Sequence, residues 1–176
     1  MSICNSTKKK ILVLFFVFLT SFTLLGESVY ATSDTSKLSV PGGKLYAKVW
    51  RTTGDGKSSG NSKKWNYQVS SSYSGKKKVK FIRCTWRSSA TLRCSASISI
   101  GISDSGGSAS ASSSWQTVKS KEKYWQNSNG SKESSWRSNI TVGPKKYYDR
   151  NTIYSYSKGR VKIKGYPKYY EITASI

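Results

Sequence analysis

The chain has 176 residues, with 30 Lys and Arg against 8 Asp and Glu and no histidine, a formal net charge of +22 at pH 7. Without histidine, most hydrolytic and metal-dependent mechanisms lack their usual general base or ligand. The charge instead selects polyanions as partners.

Lys8, Lys9 and Lys10, the apolar run from Ile11 to Leu25, and Val29-Tyr30-Ala31 make the three-part pattern of a secretory signal peptide over residues 1–31. The apolar run is shorter than the roughly 20 residues of a spanning helix, which predicts cleavage after Ala31 and a secreted chain. The leader accounts for three Lys and one Glu, so the remaining 145 residues hold 27 basic and 7 acidic side chains. That length suits one domain. Its six Trp and eleven Tyr supply the core area that its few aliphatic residues cannot. Abundant Ser, Thr and Gly, with no long runs of helix formers, predict an all-β fold.

Residues 32–43 read as a flexible N-terminal lead-in ending in Pro41-Gly42-Gly43, with a cationic domain over 44–176. Leu45, Ala47 and Val49 alternate with Tyr46, Lys48 and Trp50 as a first strand, turned by Thr53-Gly54-Asp55-Gly56. Trp65, Tyr67 and Val69 mark a second strand, closed near Ser74-Gly75. Val79 and Phe81 lie on odd positions and Ile82, Cys84 and Trp86 on even ones. That parity change predicts a β-bulge or a strand buried on both faces. Leu92 to Ser103 alternates an apolar face with a serine face, Asp104-Ser105-Gly106-Gly107 reverses the chain, and Ala109, Ala111, Ser113 and Trp115 form a return strand.

Residues 120–135 read as a long exposed loop or hairpin end. Trp136, Ile140 and Val142, then Ile153 to Tyr156, then Val161 and Ile163, and finally Tyr170, Ile172 and Ala174 mark the later strands. The sum is a single-domain antiparallel β-sandwich of about 7–9 short strands. Trp-Arg pairs at Trp50, Trp86 and Trp136 read as core anchors, each beside a solvent-facing charge.

Cys84 and Cys94 are the two cysteines beyond the leader. A hairpin centred on Ser89 would set them directly opposite each other, close enough for a disulfide. Gly54-Asp55-Gly56-Lys57-Ser58 resembles the end of a phosphate-binding loop but lacks the first glycine and any βαβ pattern, so it reads as a turn. The carboxylates are scattered, and none sits in an apolar setting that would raise its pKa. No catalytic residue, metal ligand or cofactor site is predicted.

Four basic groups carry the functional signal: Lys76, Lys77, Lys78 and Lys80; Lys119, Lys121 and Lys123; Lys145 and Lys146; and Lys158, Arg160, Lys162 and Lys164. In the second and fourth groups a period of two predicts a cationic ridge on one strand face. Lysines also protect sheet edges, but the excess exceeds what solubility requires. The partners this predicts are anionic cell-wall polymers or an anionic membrane surface, with nucleic acid bound only non-specifically.

The segment 92–115 has one apolar face, one serine face and a Gly-rich tip, and it resembles the membrane-inserting hairpins of β-barrel pore-forming toxins. That resemblance implies membrane contact through Ile98, Ile100, Ile102, Ala109, Ala111 and Trp115. The leading expectation is a secreted, non-enzymatic protein that attaches by charge to anionic envelopes, as an antibacterial protein would. A pore-forming protein is the second expectation, and a secreted enzyme whose site is set by the fold alone is the third.

Overall fold

A computed structural model describes residues 31–54, 56–93, 97–101, 107–108, 114–143 and 153–176. Its strands are β1 Ala31–Val40, β2 Gly43–Thr52, β3 Lys57–Ser59, β4 Ser62–Tyr73, β5 Val79–Leu92, β6 Ser97–Ser99, β7 Gly107–Ser108, β8 Gln116–Lys119, β9 Lys123–Asn127, β10 Glu133–Gly143, β11 Tyr154–Ile163 and β12 Tyr170–Ser175. They form two antiparallel sheets packed face to face, with no helix among the described residues. One sheet runs β1-β2-β4-β10-β6-β7, with β3 also on β4; the other runs β12-β11-β5, with β8 and β9 sharing the far side of β5.

The sandwich is the expected one, with more strands than the alternation alone predicts. Residues 32–43 are not a flexible lead-in. They form the edge strand β1 and a tight turn, Val40 pairing with Gly43 across Pro41-Gly42. Gly42 takes a φ of 77°, which its missing Cβ permits. Because β1 lies at an edge, its residues up to Ser39 alternate between exposed and half-buried, Val40 alone is buried, and no apolar period reveals the strand. Residues 120–135 are likewise more than a loop, since β9 and the start of β10 lie within them.

The largest departure concerns Ser89. No hairpin turns there; residues 79–92 are one strand, with Trp86 opposite Lys123 and Leu92 opposite Gln116. Along this strand Leu92 lies about 26 Å from Cys84 at roughly 3.3 Å per residue. Cys94 lies outside the described residues. Cys84 is a free, buried thiol between Trp125 and Gly159, so the expected bridge has lost its geometric basis. The bulge expected near residue 81 is present: Phe81 pairs with Lys162 and Val79 with Ile163, leaving Lys80 as the extra residue. It turns both Val79 and Ile82 inward.

The interior is built from aromatic bulk and small hydroxyls. Trp65, Tyr67 and Trp86 are fully buried. The Trp65 indole N–H donates to the Gly54 carbonyl at 3.0 Å and the Tyr67 hydroxyl to the Ile100 carbonyl at 3.2 Å. Two apolar clusters result, one around Trp65, Trp86, Leu92 and Ile140 and the other around Leu45, Tyr73, Ile82 and Ile163. Between them lies a waist of small residues. Ser71 donates across the sandwich to the Arg83 carbonyl at 2.9 Å, and a Cβ on Gly159 would lie 2.9 Å from the Ser71 hydroxyl and 3.1 Å from the Tyr46 carbonyl.

Gly159 thus lets β11 approach β2 and β4 closely. Gly159→Val should cost about 1 to 3 kcal/mol through overpacking, read as a lower urea midpoint at unchanged slope. An unchanged midpoint would show that the sheets can separate there without loss.

Candidate polyanion-binding face

The outer face of the five-stranded sheet is set by the parity of β5 and β11. Even residues of β5 and odd residues of β11 point into the core. Arg83 and Arg87 therefore project outward from β5, and Tyr154, Tyr156, Lys158, Arg160 and Lys162 from β11. The ridge expected at Lys158, Arg160 and Lys162 is present, with Lys164 exposed in the turn after β11. The Lys164 amide donates to the Lys78 carbonyl at 2.8 Å. That bond brings the exposed Lys76, Lys77 and Lys78 of the β4–β5 connection to the end of the same ridge, beside Lys80 of the bulge.

The group at Lys119, Lys121 and Lys123 does not form one ridge. Lys119 pairs with Ser89, an outward residue, whereas Lys123 pairs with Trp86, an inward one. Between β8 and β9 the register against β5 slips by one residue, which carries successive odd positions to opposite sides of the sheet. Lys121 sits at the slip, outside either strand. Lys145 and Lys146 lie outside the described residues.

Sequence reasoning missed Arg83 and Arg87. They share the odd parity of Phe81 and alternate with Ile82, Cys84 and Trp86; extending that period would have found them. Arg83 and Arg160 are directly opposite each other across β5 and β11. The Arg83 guanidinium lies 4.3 Å from the centre of the Tyr124 ring, and its Nε donates to Gln126 at 2.9 Å. The Arg160 guanidinium lies 4.3 Å from the Tyr169 ring, and its Nε donates to Glu171 at 2.7 Å. Arg87 stands over Tyr156 at 5.5 Å. Each such cation–ring contact contributes about 0.5 to 1 kcal/mol at an exposed site.

Two carboxylates offset this charge locally. Glu171 is paired with Arg160 at 2.6 Å, and Glu122 lies 4.0 Å from Lys158 and accepts a hydrogen bond from the Tyr156 hydroxyl. Among the described residues, Lys119, Arg83, Arg87, Lys158, Arg160 and Lys162 thus share the face with only Glu122 and Glu171. Exposed rings accompany the cations: Tyr124, Tyr154 and Tyr169 on or beside the face, and Trp115 and Trp125 along its β8–β9 edge. The outer face of the seven-stranded sheet also carries cations, including Lys48, Lys64 and Arg137, but among the described residues it has no large exposed aromatic.

Trp86 and Trp136 behave as anchors beside the outward Arg87 and Arg137, with their rings stacked 5.9 Å apart. The first Trp-Arg pair is reversed: Arg51 points inward at the rim of the core and donates to the Ile153 carbonyl at 3.1 Å, while Trp50 lies on the outer face. Of the residues expected to meet a membrane, Ile98 and Ile100 are buried in the core and Trp115 is exposed against Arg93. Ile102, Ala109 and Ala111 lie outside the described residues.

No protein-family model and no curated protein matches the chain. A solved structure described as "Pore forming protein" is similar over 86% of this chain and 94% of its own, at 8% identity and a TM-score of 0.30. The likeness is too distant to bear on function.

Burial first, then the Glu122 hydrogen bond and charge, push the Tyr156 phenol well above its ordinary value. A phenol whose pKa is raised in the folded state stabilises the protein below the unfolded value near 10, and that contribution is lost as pH rises through the folded value. Glu122→Gln removes the charge and leaves only a neutral acceptor for the phenol. In a phenolate absorbance titration the variant should ionise Tyr156 at lower pH than wild type, and Tyr156→Phe should abolish the difference. Identical titrations of wild type and Glu122→Gln would show that Glu122 does not act on Tyr156.

Proposed function

We propose that this is a secreted, non-enzymatic protein that attaches to anionic cell-envelope surfaces through the outer face of its five-stranded sheet. The observation that carries the reading is the meeting there, among the described residues, of six cations and exposed tyrosines with only two carboxylates, continued at one end by Lys76, Lys77, Lys78 and Lys164. A continuous sheet face suits an extended polymer or a packed headgroup layer, both of which offer repeating negative charge. Tyrosines add contact area at low conformational cost and tolerate a wet interface. Attachment of this kind is the first step for an antibacterial protein, whose target would be the envelope of another cell.

Retention on anionic vesicles and on wall polymer should weaken steeply between low and high salt, because each neutralised phosphate releases counterions. Lys158→Glu with Lys162→Glu should reduce retention more than the equal charge change Lys48→Glu with Lys64→Glu on the other sheet. Equal losses would refute the assignment to this face, and salt-insensitive retention would refute the electrostatic reading altogether.

One observation favours a second reading, a pore-forming protein. Ser97–Ser99 and Gly107–Ser108 pair as an antiparallel hairpin at the free end of the seven-stranded sheet. To leave, such a hairpin would break its ladder to β10, the Tyr67–Ile100 hydrogen bond and the packing of Gly107 on the Lys119 carbonyl. Ile98 and Ile100 would have to abandon the core, at about 1.5 to 3 kcal/mol each until they met lipid. Dye release from anionic vesicles supports this reading, and binding without release rejects it.

A further inference from the structure

We infer that Arg83 and Arg160 form a phosphate-binding clamp at the centre of the five-stranded face. The inference rests on the envelope-binding reading and names the chemistry that the face selects. The two residues are Cα partners across neighbouring strands, so their side chains leave one face about 5 Å apart at the backbone. Like charges opposed in this way destabilise a sheet. Glu171 offsets one of them, and Arg83 meets the neutral Gln126 and the rings of Tyr124 and Phe81.

Both guanidinium groups are held from outside the pair. Gln126, Arg83, Arg160 and Glu171 form one cross-strand row over β9, β5, β11 and β12. Gln126 and Glu171, at the ends of the row, take the two Nε groups, and Tyr124 and Tyr169 each support one guanidinium plane at 4.3 Å. Glu171 also engages Nη2 of Arg160. The terminal nitrogens of Arg83 and Nη1 of Arg160 have no acceptor among the described residues and remain available to a ligand.

Lys158 and Lys162 flank Arg160 on the same face, and Thr85 lies beside Arg83. A tetrahedral oxyanion offers acceptors to the terminal fork of Arg83 and to Nη1 of Arg160 at once and relieves their repulsion, whereas a lysine-only surface responds to charge without shape. Beneath the row, Ser71 holds the Arg83 carbonyl, and Gly159, next to Arg160, allows close approach of the other sheet. The backbone that carries the pair is therefore fixed. The ligand class is a phosphate ester, whether in a wall polymer or in a phospholipid headgroup.

The test compares binding of the mature protein to poly(glycerol phosphate), to phosphatidylglycerol vesicles and to poly-glutamate at one salt concentration. Arg83→Lys keeps the charge and removes the fork. It should weaken binding to one or both phosphate probes by about tenfold while leaving poly-glutamate unchanged. Arg160→Lys should do the same, and Lys119→Gln should weaken all three probes slightly and alike.

The phosphate probe that responds to the arginine variants identifies the source. If wild type binds all three probes and Arg83→Lys binds them as wild type does, the clamp is overturned while the envelope-binding reading stands. If wild type binds none of them, both fail. Should Arg83→Lys lose the wild-type near-ultraviolet circular dichroism, inorganic pyrophosphate titrated into wild type decides instead: competition against poly(glycerol phosphate) beyond that of sulfate at matched ionic strength supports the clamp, and equal competition overturns it.

Discussion

The close approach of the two sheets at Gly159 is the constraint on which the rest of the structure depends. Aromatic cores tend to hold sheets apart, because a buried indole needs space on both sides. Here Trp65 and Trp86 fill one end of the sandwich, and Leu45, Ile82 and Ile163 fill the other. Ala47, Ser71 and Gly159 draw the backbones together between them. Hydroxyls complete the join. Ser71 and Ser157 bond carbonyls of the opposite sheet, at 2.9 and 3.4 Å, while Ser88 and Ser155 bond each other at 2.8 Å. Such buried hydroxyls are tolerable because each has a partner; an unpaired one would cost about 1 to 3 kcal/mol. The serine-rich composition thus serves the interior as well as the surface.

Two irregularities then decide what the five-stranded sheet shows to solvent. The bulge at Lys80 resets the parity of β5, so that Arg83 and Arg87 face outward in step with the cations of β11. The one-residue slip between β8 and β9 acts in the opposite sense along the outer edge: it keeps Lys119 on the face and brings Tyr124 and Gln126 there in place of Lys123. Without the slip, Lys123 would occupy the outer face and Tyr124 the inner one. Arg83 would then lose its ring and its amide acceptor. The composition of the face is therefore a consequence of register as much as of residue content.

Much of this was legible in the chain wherever one face of a strand is fully buried. Trp65, Tyr67 and Val69, Val161 and Ile163, and the parity change near Phe81 are strong period-two signals, and each appears where it was expected. The signal failed for three physical reasons. Edge strand β1 buries almost nothing, so its alternation carries no hydrophobic content. Strand β5 contains Ser88 and Ser89 where a turn was expected, but Ser88 is a buried, hydrogen-bonded interior residue. The lysines at 119, 121 and 123 keep a perfect period in sequence that the slip at 120–122 breaks in space. The ridge at 158–162 was legible because β11 is regular throughout. Arg83 was overlooked because a single charge among core residues looks like a solvated position until its cross-strand neighbour is known.

Charge by itself does not distinguish the two outer faces, since lysines occur on both. What separates them is the support of opposed arginines on tyrosine rings, since Arg137 on the other face is also bonded at Nε, to Gln68 at 3.1 Å. A lysine at the surface keeps most of its rotamer freedom and pays for ordering when it binds. An arginine already bonded at Nε and supported on a tyrosine ring has lost that freedom in the folded protein, so little remains to be lost on binding. The face with Arg83, Arg160, Tyr124 and Tyr169 is thus the preorganised one, and the lysines around it at 76–78, 119, 158, 162 and 164 add positive charge without fixed orientation. With no histidine in the chain, the usual switch of mild acid is missing, so attachment of the proposed kind would answer to ionic strength first.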